Sequence, residues 1–99
     1  MAKKKTKTLP YDSAKVLDSK EAINAYLREA LETNDAAFIA NALGTVARAR
    51  GMSRIAKRAG LSRESLYKAL SAEGNPAFGT VIKVMEALDL KLSILARSR

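Results

Sequence analysis

The stretch Arg48–Ser71, RARGMSRIAKRAGLSRESLYKALS, decides how the chain is read. Its basic residues Arg48, Arg50, Arg54, Lys57, Arg58, Arg63 and Lys68 stand against a single acidic residue, Glu64. Its apolar positions, Ile55, Ala56, Ala59, Leu61, Leu66 and Leu70, fit two short helices meeting at Gly60. Two helices that cross closely without a longer scaffold need a small side chain where they face each other, and Ala56 supplies it. The turn four residues later needs a positive φ, which Gly60 adopts at no steric cost. Leu61, Leu66 and the Ala69/Leu70 pair then hold the second helix to the domain, leaving Ser62, Arg63, Glu64, Tyr67, Lys68 and Ser71 outward. The pattern predicts a helix-turn-helix over about 52–71.

Working toward the N-terminus, Ser53 is the natural N-cap of the first helix of this pair, helix three in chain order, and Ser62 the cap of the second, helix four. Helix two is expected from Ala36 to about Arg50, capped by Asp35 and ended by Gly51, with Phe38, Ile39, Ala42, Leu43, Val46 and Ala47 buried. Thr33 to Asp35 breaks the pattern, with Asn34 able to take a left-handed end. Helix one starts near Asp18 or Ser19, where Asp18 and Glu21 have capping-box spacing. Its inner face is Ile23, Tyr26, Leu27, Ala30 and Leu31, and its outer face carries Lys20, Arg28, Glu29 and Glu32. Leu9 to Leu17 reads as extended or a loose turn, and residues 1–8 as a basic flexible tail without a role of its own.

Working toward the C-terminus, Ser71 to Asn75 is a polar loop, and Asn75 with Pro76 supplies cap and first-turn chemistry for helix five. Phe78, Val81, Ile82, Met85 and Leu88 line the inner face of that helix. After Asp89 the period changes to two: Leu90, Leu92 and Ile94 alternate with Lys91, Ser93 and Leu95, which predicts a strand over about 90–96. A lone strand needs a partner for its backbone groups. It pairs either with the Leu9–Leu17 stretch or with its copy in a second subunit, and the second option makes Leu90, Leu92 and Ile94 the expected dimer surface.

A chain of 99 residues, 47% hydrophobic, is long enough for one core, so a single domain over 9–99 is expected. Aromatic side chains are scarce at 5%, and a core built mainly from Ala and Leu favours packed helices over sheets. The net charge is +8, concentrated as +4 in residues 1–7 and +6 in residues 48–68, while residues 8–35 carry −3. A balance this basic favours an anionic partner, nucleic acid first. The absence of Cys and His excludes disulfides and thiolate metal sites and removes the usual parts of a hydrolytic or zinc centre. No phosphate loop or paired-acid spacing is present, so no enzyme activity and no cofactor are expected. No apolar run approaches the roughly 18–20 residues of a membrane span, and Met1 to Pro10 lacks the apolar centre of a signal peptide, which points to the cytoplasm.

The outward residues of the second short helix suit a DNA major groove. Arginine can grip guanine bidentately, glutamate can accept from cytosine, and tyrosine or serine can reach a phosphate or base edge.

The segment GLSRESLYKALSAEGNPAFGTVIKVMEALDLKLSI, residues 60–94, resembles the helix-turn-helix antidote proteins of bacterial addiction modules, HigA-like antitoxins within the lambda-repressor-like (Xre-type) group. The upstream residues 17–60 are similar to the N-terminal half of the same family, so the likeness runs from about Tyr11 to Ala96. SRESLYKAL, then GNP, then a closing LKLSI is more specific than a generic helix-turn-helix. The resemblance implies a mainly α, lambda-repressor-like five-helix domain with a C-terminal β-strand. It implies a type II antitoxin that neutralises a small basic toxin of the RelE/ParE-like, HigB type by direct binding and represses its own operon in the bacterial nucleoid. Carried over by position, Ser62, Arg63, Glu64, Tyr67 and Lys68 would read DNA, with Ser53 and Arg54 near the phosphates, and no residue would be catalytic. A pseudo-palindromic operator would then be bound by a homodimer. The acidic N-terminal third nominates Glu21, Glu29, Glu32 and Asp35 for the toxin. The competing reading is a stand-alone Xre-type or phage-like repressor without a toxin partner.

Overall fold

Ser19 starts the first helix. Its side chain accepts a hydrogen bond from the Ala22 amide at 3.1 Å, and Ile23 N donates to Ser19 O at 3.0 Å. The computed structural model describes residues 19–71 and 73–96, through which run α1 (Lys20–Glu32), α2 (Ala36–Arg50), α3 (Met52–Ala59), α4 (Arg63–Ala69) and α5 (Phe78–Ala87). Asp18, the alternative cap, lies outside the described residues, as do the 1–8 tail and the Leu9–Leu17 stretch.

The α1–α2 turn is locally determined. Thr33 Oγ1 donates to Ala30 O at 2.6 Å and accepts from Asp35 N at 3.1 Å, Asn34 takes φ 54°, and Asp35 Oδ1 accepts from Phe38 N at 3.2 Å. Each contact spans three residues or fewer, which is why Asn34 and Asp35 are legible as turn and cap.

Two other caps are not where the side-chain chemistry points. Gly51, at φ 105°, both ends α2 and begins α3, so α3 starts at Met52 without a side-chain cap, and Ser53 lies inside its first turn. Likewise α5 begins at Phe78 with Ala77 as N-cap and no side-chain cap bond, two residues beyond Asn75. A capping side chain acts only where its own backbone is extended and the helix starts just after it. Gly51 advances the start of α3, and the chain stays non-helical past Pro76.

The helices close over one core. Ile23, Leu27 and Ala30 of α1, Leu43, Val46 and Ala47 of α2, Ile55 and Ala56 of α3, Leu66 and Leu70 at α4, and Val84 and Met85 of α5 form one cluster. Among the described residues no buried side-chain polar atom lacks a partner. Helix α2 comes against the end of α4 at Gly44, where a Cβ would sit 2.6 Å from Leu70 O. Any side chain there would push the two helices apart.

Three large apolar residues expected inside are exposed: Leu31 (42%), Phe38 (52%) and Phe78 (69%). Leu31 lies in the last turn of α1, while Phe38 and Phe78 lie in the first turns of α2 and α5. Val84, outside the expected inner face, is completely covered because the buried side of α5 runs through Val84, Met85, Ala87 and Leu88.

The predicted C-terminal strand is not found: among the described residues no strand occurs, and 90–96 has no regular secondary structure. Leu90 is tied to α5 instead, its amide donating to Met85 O at 2.8 Å, after a turn in which Asp89 takes φ 62°. Leu90 packs partly against the core, whereas Leu92, Ile94 and Leu95 stand exposed. An alternating sequence supplies the side-chain pattern of a strand but not the second strand that satisfies its backbone.

Candidate nucleic-acid interface

The geometry of α3 and α4 starts from Gly60, whose φ of 75° lets the chain reverse after Ala59. Leu61 N donates to Ala56 O at 2.9 Å, closing the end of α3. Ser62 Oγ accepts from Ser65 N at 2.9 Å and starts α4. Ala56 is buried in the core cluster. Leu66 and Leu70 turn one side of α4 fully inward. With that side fixed, the 3.6-residue period leaves Arg63, Glu64, Tyr67 and Lys68 outward, and all four are exposed. Tyr67 is 57% exposed, a large ring offered to solvent beside two cations.

The remaining candidates divide by what their side chains already do. Ser62 Oγ is the α4 cap, and Ser71, half-buried, donates its hydroxyl to Lys68 O at 3.0 Å, so both serve local structure first. Ser53 and Arg54 are exposed on the first turn of α3. Arg54 shares the lining of one small pocket with Arg50 and Arg58.

A second face is built by α1. Glu21, Glu29 and Glu32 are exposed and fall within roughly 80° of one another at 100° per residue. Asp35 is exposed too, but its carboxylate caps α2. Beside this stripe an open groove of about 500 Å³ runs between α1 and the C-terminal segment, lined among others by Leu27, Leu31, Glu32, Leu90, Leu92 and Ile94. The structure thus brings Glu32 to the same groove as the three candidate dimer residues, a juxtaposition the sequence does not announce. No helix among the described residues is long and apolar enough to cross a membrane.

Comparison with known proteins decides the class of the molecule. Residues 7–96 match a family model described as probable addiction module antidote protein. The chain belongs to this family. An uncharacterised protein of Haemophilus influenzae is 54% identical over 84 residues, covering 85% of this chain and 87% of that relative. No solved structure matches. The antidote match takes in all five helices, the 90–96 segment and the Leu9–Leu17 stretch, and leaves residues 1–6 outside. Membership in an antidote family implies a toxin as partner in general terms.

Proposed function

We propose that this antidote-family protein is a DNA-binding antitoxin that neutralises a small basic toxin of the RelE/ParE-like, HigB type by direct binding and represses its own operon. The observation that carries the DNA half is α4: a short helix pinned by Leu66 and Leu70 that presents Arg63, Glu64, Tyr67 and Lys68 together on its exposed side. In this reading α3 and α4 form a helix-turn-helix, α4 enters the major groove, and Arg63 grips a guanine edge while Lys68 meets the backbone. The chain itself catalyses nothing and uses no cofactor. The antidote-family match favours this reading over a stand-alone Xre-type or phage-like repressor.

The toxin half rests on the acidic stripe of α1. Removing α1 would be uninformative, because Ile23, Leu27 and Ala30 belong to the core. Charge reversal leaves the core alone. Co-expressed with the product of the adjacent gene, the wild-type chain is expected to restore growth and co-purify with it. The chain carrying Glu21→Lys, Glu29→Lys and Glu32→Lys is expected to lose both while keeping its helical circular dichroism. Retained co-purification by the triple variant would remove α1 from the toxin interface.

An operator with two half-sites requires two copies of α4. The exposed segment around Leu92 and Ile94, 40% and 95% accessible, is the proposed contact between copies. Sedimentation of Leu92→Lys/Ile94→Lys is expected to show monomer where the wild type shows dimer. A variant that remains dimeric places the interface elsewhere.

A further inference from the structure

Residues 31–38, from the last turn of α1 through the connecting turn to the first turn of α2, are exposed without a break. Two of them are large apolar side chains, Leu31 at 42% and Phe38 at 52% exposure, and Ala36 and Ala37 lie between. The charge of this corner also sets it apart. Residues 29–47 hold three carboxylates, Glu29, Glu32 and Asp35, and no Lys or Arg, in a chain of net charge +8. The corner is fixed by its own hydrogen bonds: Thr33 Oγ1 bridges Ala30 O and Asp35 N, and Asp35 Oδ1 accepts from the Phe38 amide at 3.2 Å. The backbone that carries the Phe38 ring is therefore held before any partner arrives, which lowers the ordering cost of binding.

We propose that Phe38 and Leu31 form the apolar anchor of a protein contact rimmed by Glu29, Glu32 and Asp35, and that its occupant is a basic protein with an apolar pocket for the Phe38 ring. The inference rests on the reading that the chain binds a small basic toxin, and it moves the centre of that contact from the α1 stripe to the α1–α2 corner. An aromatic side chain inside a polar rim is the arrangement that concentrates binding energy in protein interfaces. Nucleic acid fits the corner poorly, because phosphates and carboxylates repel. A second copy fits poorly too: a two-fold contact sets the same patch against itself, so that carboxylates would face carboxylates. Leu31 also lines the groove beside the C-terminal segment, so the ring of Phe38, on the far side of the turn, is the residue to test.

The test is the kinetics of binding to the purified product of the adjacent gene. Phe38→Ala is expected to speed dissociation about 30-fold or more, with helical circular dichroism and operator affinity unchanged. Phe78→Ala, which removes an exposed ring on α5, is expected to leave both rates as they are. Glu32→Gln/Asp35→Asn removes two charges while Asn keeps a capping oxygen for α2. It is expected to slow association several-fold at about 0.05 M salt, an effect that fades at about 0.5 M, with little change in dissociation. Dissociation of Phe38→Ala at the wild-type rate overturns the proposal and leaves the α1 stripe standing, which the charge reversals test separately. So does an equal loss in Phe78→Ala. A wild-type dimer that Phe38→Ala makes monomeric also overturns it, by marking the corner as a contact between copies. If Phe38→Ala loses helical signal, the charge variant decides: association with the rate and salt dependence of the wild type overturns the proposal. A wild-type chain that does not bind the adjacent gene's product overturns both readings.

Discussion

Replacing Arg63 and Lys68 together by alanine is expected to abolish operator binding at moderate salt while leaving the helical content unchanged. Both side chains are exposed, and alanine is the best helix former, so α4 loses nothing it needs to stay folded. The loss falls on recognition. A bidentate arginine contact with guanine carries about 1–3 kcal/mol of discrimination, and a lysine on a phosphate adds a salt-dependent share. Together these amount to roughly 2–4 kcal/mol, or about 30- to 1,000-fold in affinity. A mobility shift on the chain's own promoter, with circular dichroism as the folding control, measures it. If the double variant binds as the wild type does, α4 is not the recognition helix.

The largest effect on stability is expected at Leu66. Its side chain is fully covered, and together with Leu70 it joins α4 to the rest of the core. Leu66→Ala removes three carbons and leaves a cavity that the surrounding helices fill only in part, at a cost of about 2–5 kcal/mol. Small domains have about 5–15 kcal/mol in total, so the thermal midpoint should fall by roughly 10–30 °C. Phe78→Ala is the matching control: at 69% exposure it removes an apolar group that is mostly in solvent and should move the midpoint little. A Leu66→Ala midpoint within a few degrees of the wild type would contradict the packing of α4. DNA binding of the Leu66 variant should also weaken, because a loosened α4 no longer holds Arg63 and Lys68 at a fixed spacing.

The two predictions differ in how far the sequence alone supports them. Leu66, Leu70, Ala56 and Gly60 are legible because a short helical hairpin imposes its demands within a few residues, and the structure places all four as the spacing requires. The outward set on α4 follows from the same local period. Phe38, Phe78 and Leu31 show where that logic stops. A helical period says which side chains share a face. How far that face is covered depends on where the neighbouring helix ends, which is a property of the packed molecule. The Leu90–Leu95 segment shows the same gap in another form, since its alternation gives the pattern of a strand and says nothing about a partner.

What the sequence by itself determined here is the local part: the starts of α2 and α4 at Asp35 and Ser62, that of α1 to within Asp18 or Ser19, the left-handed turn at Gly60, and the exposed residues of α4. Each depends on side-chain and backbone contacts three or four residues apart, so the chain carries them wherever it folds. Only the tertiary structure decided that Gly51 begins α3 and leaves Ser53 inside the helix, that Gly44 lets α2 meet Leu70, and that Lys20, Arg50, Arg54, Arg58 and Asp89 surround one pit. Residues this far apart along the chain become neighbours only when the shared core draws their helices together.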